Sequence, residues 1–339
     1  MAATTTPTAN RGIRLFQVWG ITVYLHWLWF LVAFYEIYFS EKRYSSIAWN
    51  IAEYLCLFVI VLLHEFGHAL ACRSVGGEAN RILLWPFGGV AYVKPPPRPG
   101  ALLWSIVAGP LVNVALAPVT IGFWYLARIG YLPASADLHQ FLFAIAGINV
   151  VLFAFNMLPI YPLDGGQILQ AVLWFVVGRP WSLAIAGSIG MLGAIAAAAA
   201  GLYWQNWWIA ILALLGASRC WRALKYSRVL RALAALPRRQ GIACPKCQAA
   251  PPAAPVWRCA CGANFDTFVT HATCPTCGQS FDETLCVDCG TATPFAQWLG
   301  VETLPPRPLP LHLTGAWQPS PPFATVVTTP LPSAPPSPH

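Results

Sequence analysis

Six apolar stretches, each about as long as a bilayer is thick, constrain the fold of this chain most. They occupy residues 17–38, 50–73, 101–127, 139–158, 183–203 and 205–221. A helix needs roughly 20 apolar residues to cross the hydrocarbon core. Because 57% of the 339 residues are hydrophobic and only 9% are charged, the composition excludes an ordinary soluble domain. We predict an all-α polytopic membrane protein with about six transmembrane helices.

Two segments depart from this plan. Residues 80–94, NRILLWPFGGVAYVK, combine β-forming residues with a Gly-Gly pair, which predicts a membrane-associated β-hairpin. The run at 164–178 is short for a crossing and follows a proline-broken segment. We expect a half-helix or an interfacial helix there, and a seventh crossing is the alternative.

The basic residues indicate the orientation in the membrane. With residues 1–16 as a cytosolic arm, six spans put most Lys and Arg residues on the cytosolic side, including the cluster at 219–239. The outer loops keep Lys42, Arg43 and Arg128. This asymmetry follows the positive-inside rule, so we predict cytosolic N- and C-termini in a multi-pass protein of a prokaryotic cell membrane.

Residues 58–70, FVIVLLHEFGHAL, place three ionisable groups in a strongly apolar run. On a helix, His64 and His68 lie on one face, so both imidazoles can bind one metal ion. Glu65 projects to the side and can act as a general base. Ionisable groups at membrane depth are costly and usually functional; the structural alternative is a polar cluster that holds helices together.

A catalytic zinc ion needs a third protein ligand. Most other carboxylates of the apolar region lie near the ends of the predicted spans, but Asp164 lies in NMLPIYPLDGG, residues 156–166. Pro159 and Pro162 remove helical hydrogen bonds there, and the following glycines permit irregular backbone. A span broken at this point can direct a carboxylate into a cavity.

The order of these motifs resembles the site-2 protease family of intramembrane zinc metalloproteases. HEFGH and N-x-x-P-x-x-P-L-D-G-G carry the resemblance, with WPFGGVAYV and AGPLVN between them, over roughly residues 15–225. The resemblance implies that His64, His68 and Asp164 ligate a catalytic zinc ion and that Glu65 is the general base.

The resemblance also implies residues that contact substrate. Asn156 is expected near the substrate or the developing oxyanion, and Gly88 and Gly89 in a hairpin that pairs with extended substrate backbone. An edge strand at 82–93 would satisfy the backbone of a locally unwound substrate. Asn113 of AGPLVN either supports the metal site or forms a hydrogen bond between helices.

The chain changes character after the predicted transmembrane domain, 17–236. Residues 240–291 are predicted to form a small zinc-ribbon-like domain, and 292–339 a proline-rich disordered tail. Four cysteine pairs supply eight thiolates for two structural zinc ions: Cys244 and Cys247, Cys259 and Cys261, Cys274 and Cys277, Cys286 and Cys289. We considered consecutive pairing, or first with third and second with fourth; the sequence does not decide between them.

The charge of the cysteine module argues against nucleic acid as its partner. Residues 241–291 hold Lys246 and Arg258 against Asp266, Asp282, Glu283 and Asp288, so the basic footprint of a phosphate-binding surface is missing. We predict an enzyme with one catalytic and two structural zinc ions, which cuts membrane-anchored proteins in or near their transmembrane segments. The rival hypothesis is an inactive membrane adaptor whose cysteine module binds a protein partner.

Overall fold

The computed structural model describes residues 12–38, 43–85, 88–132 and 135–299. Two compact units make up the chain, Met1–Ala235 and Leu236–His339, and each is described by itself. Most of the predicted arm and of the predicted tail, residues 1–11 and 300–339, lies outside the described residues.

Helices dominate the first unit. They are α1 Leu28–Tyr38, α2 Ile47–Ser74, α3 Pro99–Arg128, α4 Ala136–Asn156, α5 Asp164–Tyr203 and α6 Trp207–Ala234. Among the described residues, α2, α3, α4 and α5 are long and apolar enough to cross a membrane. The chain is therefore an integral membrane protein of mostly helical fold, and the six spans that we predicted are not confirmed among the described residues.

The first predicted span, 17–38, is wrong. Its N-terminal half continues a β-hairpin, β1 Gly12–Val18 and β2 Ile21–His26. Trp19 and Gly20 turn the chain between them with positive φ angles of 49° and 72°, as a two-residue hairpin turn requires. Ile21, Val23 and Leu25 are buried on one face of β2. Continuous apolarity concealed this alternation, and α1 has only 11 residues, about 16 Å of helix.

The hairpin predicted at 80–94 is present as β3 Glu78–Trp85 and β4 Gly88–Lys94, but it belongs to a larger sheet. The strand order is β1-β2-β3-β4, and β2 runs parallel to β3. The sheet packs on α2 through a core that includes Ile82, Leu84 and Val61. An all-α class is therefore incomplete, and β3 is an inner strand while β4 lies at an edge.

The run at 164–178 is helical and forms the first segment of α5. Non-helical backbone at Gly178, with φ 76° and ψ 165°, separates it from the second segment. The predicted short helix is thus followed by a break and a second helical segment.

Small residues bring α2 and α3 together at the level of HEFGH. A Cβ atom at Gly67 would lie 2.7 Å from the carbonyl oxygen of Ala108, and one at Gly109 would overlap the imidazole of His68. Small residues allow such close helix approach in membranes. The AGPLVN segment therefore lies directly against the HEFGH segment.

The second unit contains two short hairpins, β5 Trp257–Arg258 with β6 Asn264–Phe265, and β7 Glu283–Leu285 with β8 Ala292–Pro294. A one-turn helix, α7 Phe295–Trp298, follows, and its Trp298 is buried beside Cys244 and Cys286. Residues 292–298 are thus ordered parts of the cysteine module, although we predicted that the disordered tail begins at 292.

Candidate metal centres

Two helices carry the polar groups of the membrane unit. The middle of α2 holds His64, Glu65 and His68, which are 3%, 5% and 6% exposed, and the first residue of α5 is Asp164, 9% exposed. The loop before α5 folds closely over its first turn, where a Cβ atom at Gly165 would overlap the backbone of Met157. This packing fixes Asp164 beside residues that precede it by about one hundred positions.

Three side-chain atoms converge. His64 Nε2 lies 3.1 Å from His68 Nε2, and Asp164 Oδ2 lies 3.1 Å from His64 Nε2 and 3.3 Å from His68 Nε2. Tetrahedral zinc with ligands at 2.0–2.1 Å places neighbouring donor atoms about 3.3 Å apart. The triangle of atoms therefore matches one face of such a site.

The protons on the imidazoles can be assigned from their other hydrogen bonds. His64 Nδ1 lies 2.6 Å from Asn113 Oδ1, and His68 Nδ1 lies 2.9 Å from the carbonyl oxygen of Ser105. Both partners are acceptors, so each Nδ1 carries the proton in the neutral ring. The two Nε2 atoms and the Asp164 carboxylate then face one another as three acceptors without a donor. Such a set fits a cation.

Buried amides extend this network away from the donor atoms. Asn113 donates from Nδ2 to Asn149 Oδ1 over 2.8 Å, and Asn149 donates from Nδ2 to the carbonyl oxygen of Asn113 over 3.0 Å. Asn113 thus contacts His64 and also links α3 to α4, so the predicted hydrogen bond between helices is present. Asn149 orients Asn113, since it occupies the amide nitrogen and leaves Oδ1 for His64.

Strand β4 positions Glu65. The backbone N–H of Ala91 donates to Glu65 Oε2 over 2.8 Å. A Cβ atom at Gly89 would overlap the carboxylate of Glu65, so glycine provides the space that this side chain occupies. Gly88 pairs with Trp85 within the hairpin.

The structure brings together four predicted residues, His64, Glu65, His68 and Asp164. Asn156 is half-buried, and its Nδ2 donates to the carbonyl oxygen of Leu152 in its own helix over 3.0 Å. Sequence reasoning overlooked Asn149 and Ser105. An amide in the middle of an apolar helix is a usable signal for Asn149, but Ser105 acts through its backbone carbonyl, which no residue type reveals.

The eight cysteines of the second unit form two groups, and neither of the two predicted pairing schemes is correct. The first pair joins the fourth, as Cys244, Cys247, Cys286 and Cys289, and the second joins the third, as Cys259, Cys261, Cys274 and Cys277. The second group is therefore nested within the chain segment that the first group closes. We call them the outer and the inner cysteine sites.

The sulfur positions fit metal sites. Two Sγ–Sγ distances in the outer site are 3.8 Å, and two in the inner site are 3.5 and 3.7 Å. All sulfurs of a site lie within 4.8 Å of one another, and none of the eight cysteines forms a disulfide. Zinc with thiolates at 2.3 Å places neighbouring sulfurs about 3.8 Å apart. Burial raises the pKa of Cys289, but hydrogen bonds from Thr291, Cys286 and Cys247 together outweigh it and lower this pKa below its usual value.

All four cysteine pairs use the same kind of turn. The residue after the second cysteine has a positive φ angle in each: Gln248 60°, Gly262 92°, Gly278 73° and Gly290 70°. In a C-x-x-C pair the N–H of Gly278 reaches the carbonyl of Cys274, and in the shorter C-x-C pair the N–H of Gly262 reaches that of Cys259. The C-x-C pair, Cys259 and Cys261, therefore forms the same kind of turn with one residue fewer between its cysteines.

Two arginines that precede the module pair with its acidic residues. Arg238 donates to both carboxylate oxygens of Asp288, at 2.6 and 3.2 Å, and Arg239 donates to Asp266 at 2.5 Å. Both guanidinium groups therefore form ion pairs within the second unit. Their pairing agrees with a module that lacks a phosphate-binding surface.

Comparisons with known proteins identify similar chains. Residues 52–130 and 118–200 match the model of peptidase family M50. Zinc metalloprotease MJ0392 of Methanocaldococcus jannaschii is 35% identical over 181 residues, 53% of this chain and 51% of that protein. YwhC of Bacillus subtilis is 32% identical over 155 residues, 36% of this chain and 69% of YwhC. A solved site-2 protease from Methanocaldococcus jannaschii is 30% identical, covers 63% of this chain and 95% of its own, and has a TM-score of 0.48.

The matched regions include every donor of the membrane unit, with His64 and His68 in the first stretch and Asp164 in the second. This chain spans about half the length of MJ0392 and more than two thirds of the length of YwhC. On this similarity the chain belongs to peptidase family M50, the site-2 protease family that its ordered motifs indicate.

Proposed function

We propose that this chain is an intramembrane zinc metalloendopeptidase. Its substrates would be membrane-anchored proteins, cut in or near their transmembrane segments in regulated intramembrane proteolysis. One observation carries the proposal: three buried acceptor atoms without a proton between them lie beside a carboxylate, Glu65. Three protein donors are characteristic of a catalytic zinc site, and four of a structural one.

The side chains at this site would have two different roles, metal binding and proton transfer. His64, His68 and Asp164 would hold the zinc ion, which supplies a Lewis acid and lowers the pKa of water. Glu65 takes a proton from the attacking water and returns it to the leaving amine. The bond from Ala91 N–H holds Glu65 Oε2, so Oε1 remains for this proton transfer.

Strand β4 is the part of the sheet suited to hold an extended substrate. We predicted an edge strand at 82–93. Strand β3 is paired with both β2 and β4, so it is not an edge strand. Among the described residues, β4 is paired on one side and has one free edge. A substrate segment unwound from its helix needs partners for its backbone groups. Addition of a strand to β4 would supply them next to Glu65.

The orientation and the second unit complete the proposal. The basic cluster at 219–239 supports a cytosolic C-terminus, and the cytosolic N-terminus stays a prediction. The cysteine module would hold two structural zinc ions and act as a site for a protein partner or for regulation. Its four-thiolate sites have no position left for a substrate.

The test is Glu65→Gln in the full chain, reconstituted with a transmembrane model substrate. We expect retention of zinc and fold, with cleavage lower by about 10²–10⁴-fold, because only the proton transfer is removed. The matched control is Glu53→Gln, the same change in the same helix at a residue that bonds Arg43 and Tyr44. Unchanged cleavage by Glu65→Gln would reject the protease and favour the adaptor.

A further inference from the structure

A cavity of about 400 Å³ lies close to the candidate catalytic residues. One wall is the end of β4 with the loop of Pro95, Pro96 and Pro97, and the others are α5, on both sides of its break at Gly178, and α6. Two of these elements also position the catalytic groups, since β4 bonds Glu65 and α5 begins with Asp164. Gln167, one helical turn after Asp164, lines the cavity.

The charge of the lining favours an anion. Lys94 and Arg179 contribute cationic groups, and no acidic side chain lines the cavity among the described residues. Lys94 lies 3.8 Å from Glu78, but both side chains are largely exposed, and such surface pairs are weak. The cavity therefore has an unbalanced positive charge.

Aromatic residues hold Arg179 at the cavity. Its guanidinium carbon lies 5.3 Å from the ring centre of Trp174 and 5.9 Å from that of Tyr226. Stacking on aromatic rings uses the flat faces of a guanidinium and leaves the N–H groups at its edge for hydrogen bonds. Those N–H groups form a fork that matches a carboxylate.

Gln170 gives independent evidence of a polar ligand. Its side chain lines the cavity and the residue is only 9% exposed, yet its carboxamide makes no hydrogen bond with any described residue. The amide atoms are not among the buried polar atoms that lack a partner, so they are open to the cavity. A ligand with oxygen atoms in the cavity could accept a hydrogen bond from this amide.

The distance along β4 relates the cavity to the reaction. Lys94 follows Ala91 by three residues, and a strand advances about 3.3 Å per residue. A peptide that lies along β4 would reach the cavity about three residues from the bond beside Glu65. We propose that this cavity is a specificity pocket for an acidic side chain, Asp or Glu, about three residues from the scissile bond. The inference rests on the proposed protease function.

The experiment uses the full chain in phosphatidylcholine vesicles with a transmembrane model substrate that it cleaves. Asp is compared with the isosteric Asn at each of the five residues on either side of the cut, and kcat/KM is measured for each. We expect Asp to raise kcat/KM about tenfold at one position near the third residue, as one charged hydrogen bond would. Arg179→Gln should remove this preference and leave cleavage of the Asn substrate unchanged.

Two further variants separate recognition from folding. Gln170→Leu should weaken the preference without a change of charge. Arg228→Gln is the matched control, since Arg228 stacks on Trp221 in α6 and does not line the cavity; it should keep the full preference. Equal loss of cleavage for Asp and Asn substrates in Arg179→Gln would overturn the proposal, as would the absence of an acidic preference in the wild type.

The remaining outcomes separate this inference from the proposed function. If the effect of Arg179→Gln appears only when phosphatidylglycerol is added to the vesicles, the cavity binds a lipid headgroup and the proposal is overturned. If cleavage depends on Glu65 but has no acidic preference, only the specificity pocket is rejected. If Glu65→Gln cleaves as well as the wild type, the protease function is rejected and the pocket with it.

Discussion

The membrane unit and the cysteine module both bring together side chains that could bind a metal ion, but they do so in different ways. In the membrane unit three donors come from two helices, with Asp164 one hundred residues after His64. In the module each site takes four cysteines from two local turns. The number of donors separates the two kinds of site, since three allow chemistry at a fourth position and four do not.

The second difference lies in what holds the donors in place. In the membrane unit the imidazoles are fixed by hydrogen bonds to Asn113 and Ser105 and by the packing of long helices. The described part of the module has two small hydrophobic clusters, one around Trp257 and Phe265 and one around Trp298. So small a core seldom folds without a staple such as a metal. We therefore expect the module to depend on metal for folding, and the membrane unit not to.

The largest expected effect is removal of metal from the module. A strong chelator should unfold it, because zinc binding to such sites supplies about 10–16 kcal/mol of folding free energy. Hydrogen exchange measured by mass spectrometry should show loss of protection in residues 241–299 and retained protection in α2 and α3. Equal loss in both units would remove the contrast between them.

The next effect concerns the ligand that completes the membrane site. We expect wild-type protein to hold three zinc ions and Asp164→Asn to hold two. Loss of a residue that only hydrogen-bonds to a metal ligand can already cost about 100-fold in activity. Loss of the ligand itself should therefore lower the cleavage rate by more than about 100-fold. Asp137→Asn is the control, because Asp137 accepts hydrogen bonds from Ser45 away from the donors. Metal analysis and cleavage rates would measure both, and full zinc with full activity in Asp164→Asn would reject the assignment.

A smaller effect is expected when a hydrogen bond to one of the metal-binding imidazoles is removed. Asn113→Leu removes the acceptor for His64 Nδ1–H at similar volume, and loss of such partners lowers metal affinity by about 10–100-fold. Asn156→Leu is matched to it and should change zinc affinity little, because Asn156 bonds only Leu152 among the described residues. Competition with a chelator measures both affinities. Equal zinc affinities for the two variants would mean that the hydrogen bond from His64 to Asn113 does not contribute to zinc binding.

Sequence reasoning located the candidate catalytic side chains because chemistry restricts them. Ionisable groups in apolar segments are rare, so HEFGH and Asp164 stand out, and helical spacing alone brings His64 beside His68. The β3–β4 hairpin was also predicted from its residues. Residues 17–26 were not, since an apolar strand of a buried sheet and the start of a transmembrane helix have similar composition. Only the alternation of Ile21, Val23 and Leu25 distinguishes them.

Other features depend on contacts that no local pattern encodes. The nested grouping of the cysteines follows from how the hairpins fold together, and equal pair motifs are compatible with any of the three groupings of whole pairs. The role of Gly89 depends on a side chain 24 positions away in α2, since only the folded chain places the Glu65 carboxylate where its Cβ would lie. Such long-range contacts are the part that a single sequence leaves open.

The nesting itself predicts the smallest effect. The inner site closes the chain between Cys261 and Cys274, and the outer site closes the threefold longer stretch between Cys247 and Cys286. Tripling a flexible loop costs about 1 kcal/mol, so the inner site alone should bind zinc about fivefold more tightly than the outer site alone. Two double variants isolate the sites: Cys286→Ser with Cys289→Ser leaves the inner one, and Cys274→Ser with Cys277→Ser the outer one. Competition with a chelator gives the zinc affinity of each site. Tighter binding by the outer site would mean that packing around Trp298, and not loop closure, determines which site binds zinc more tightly.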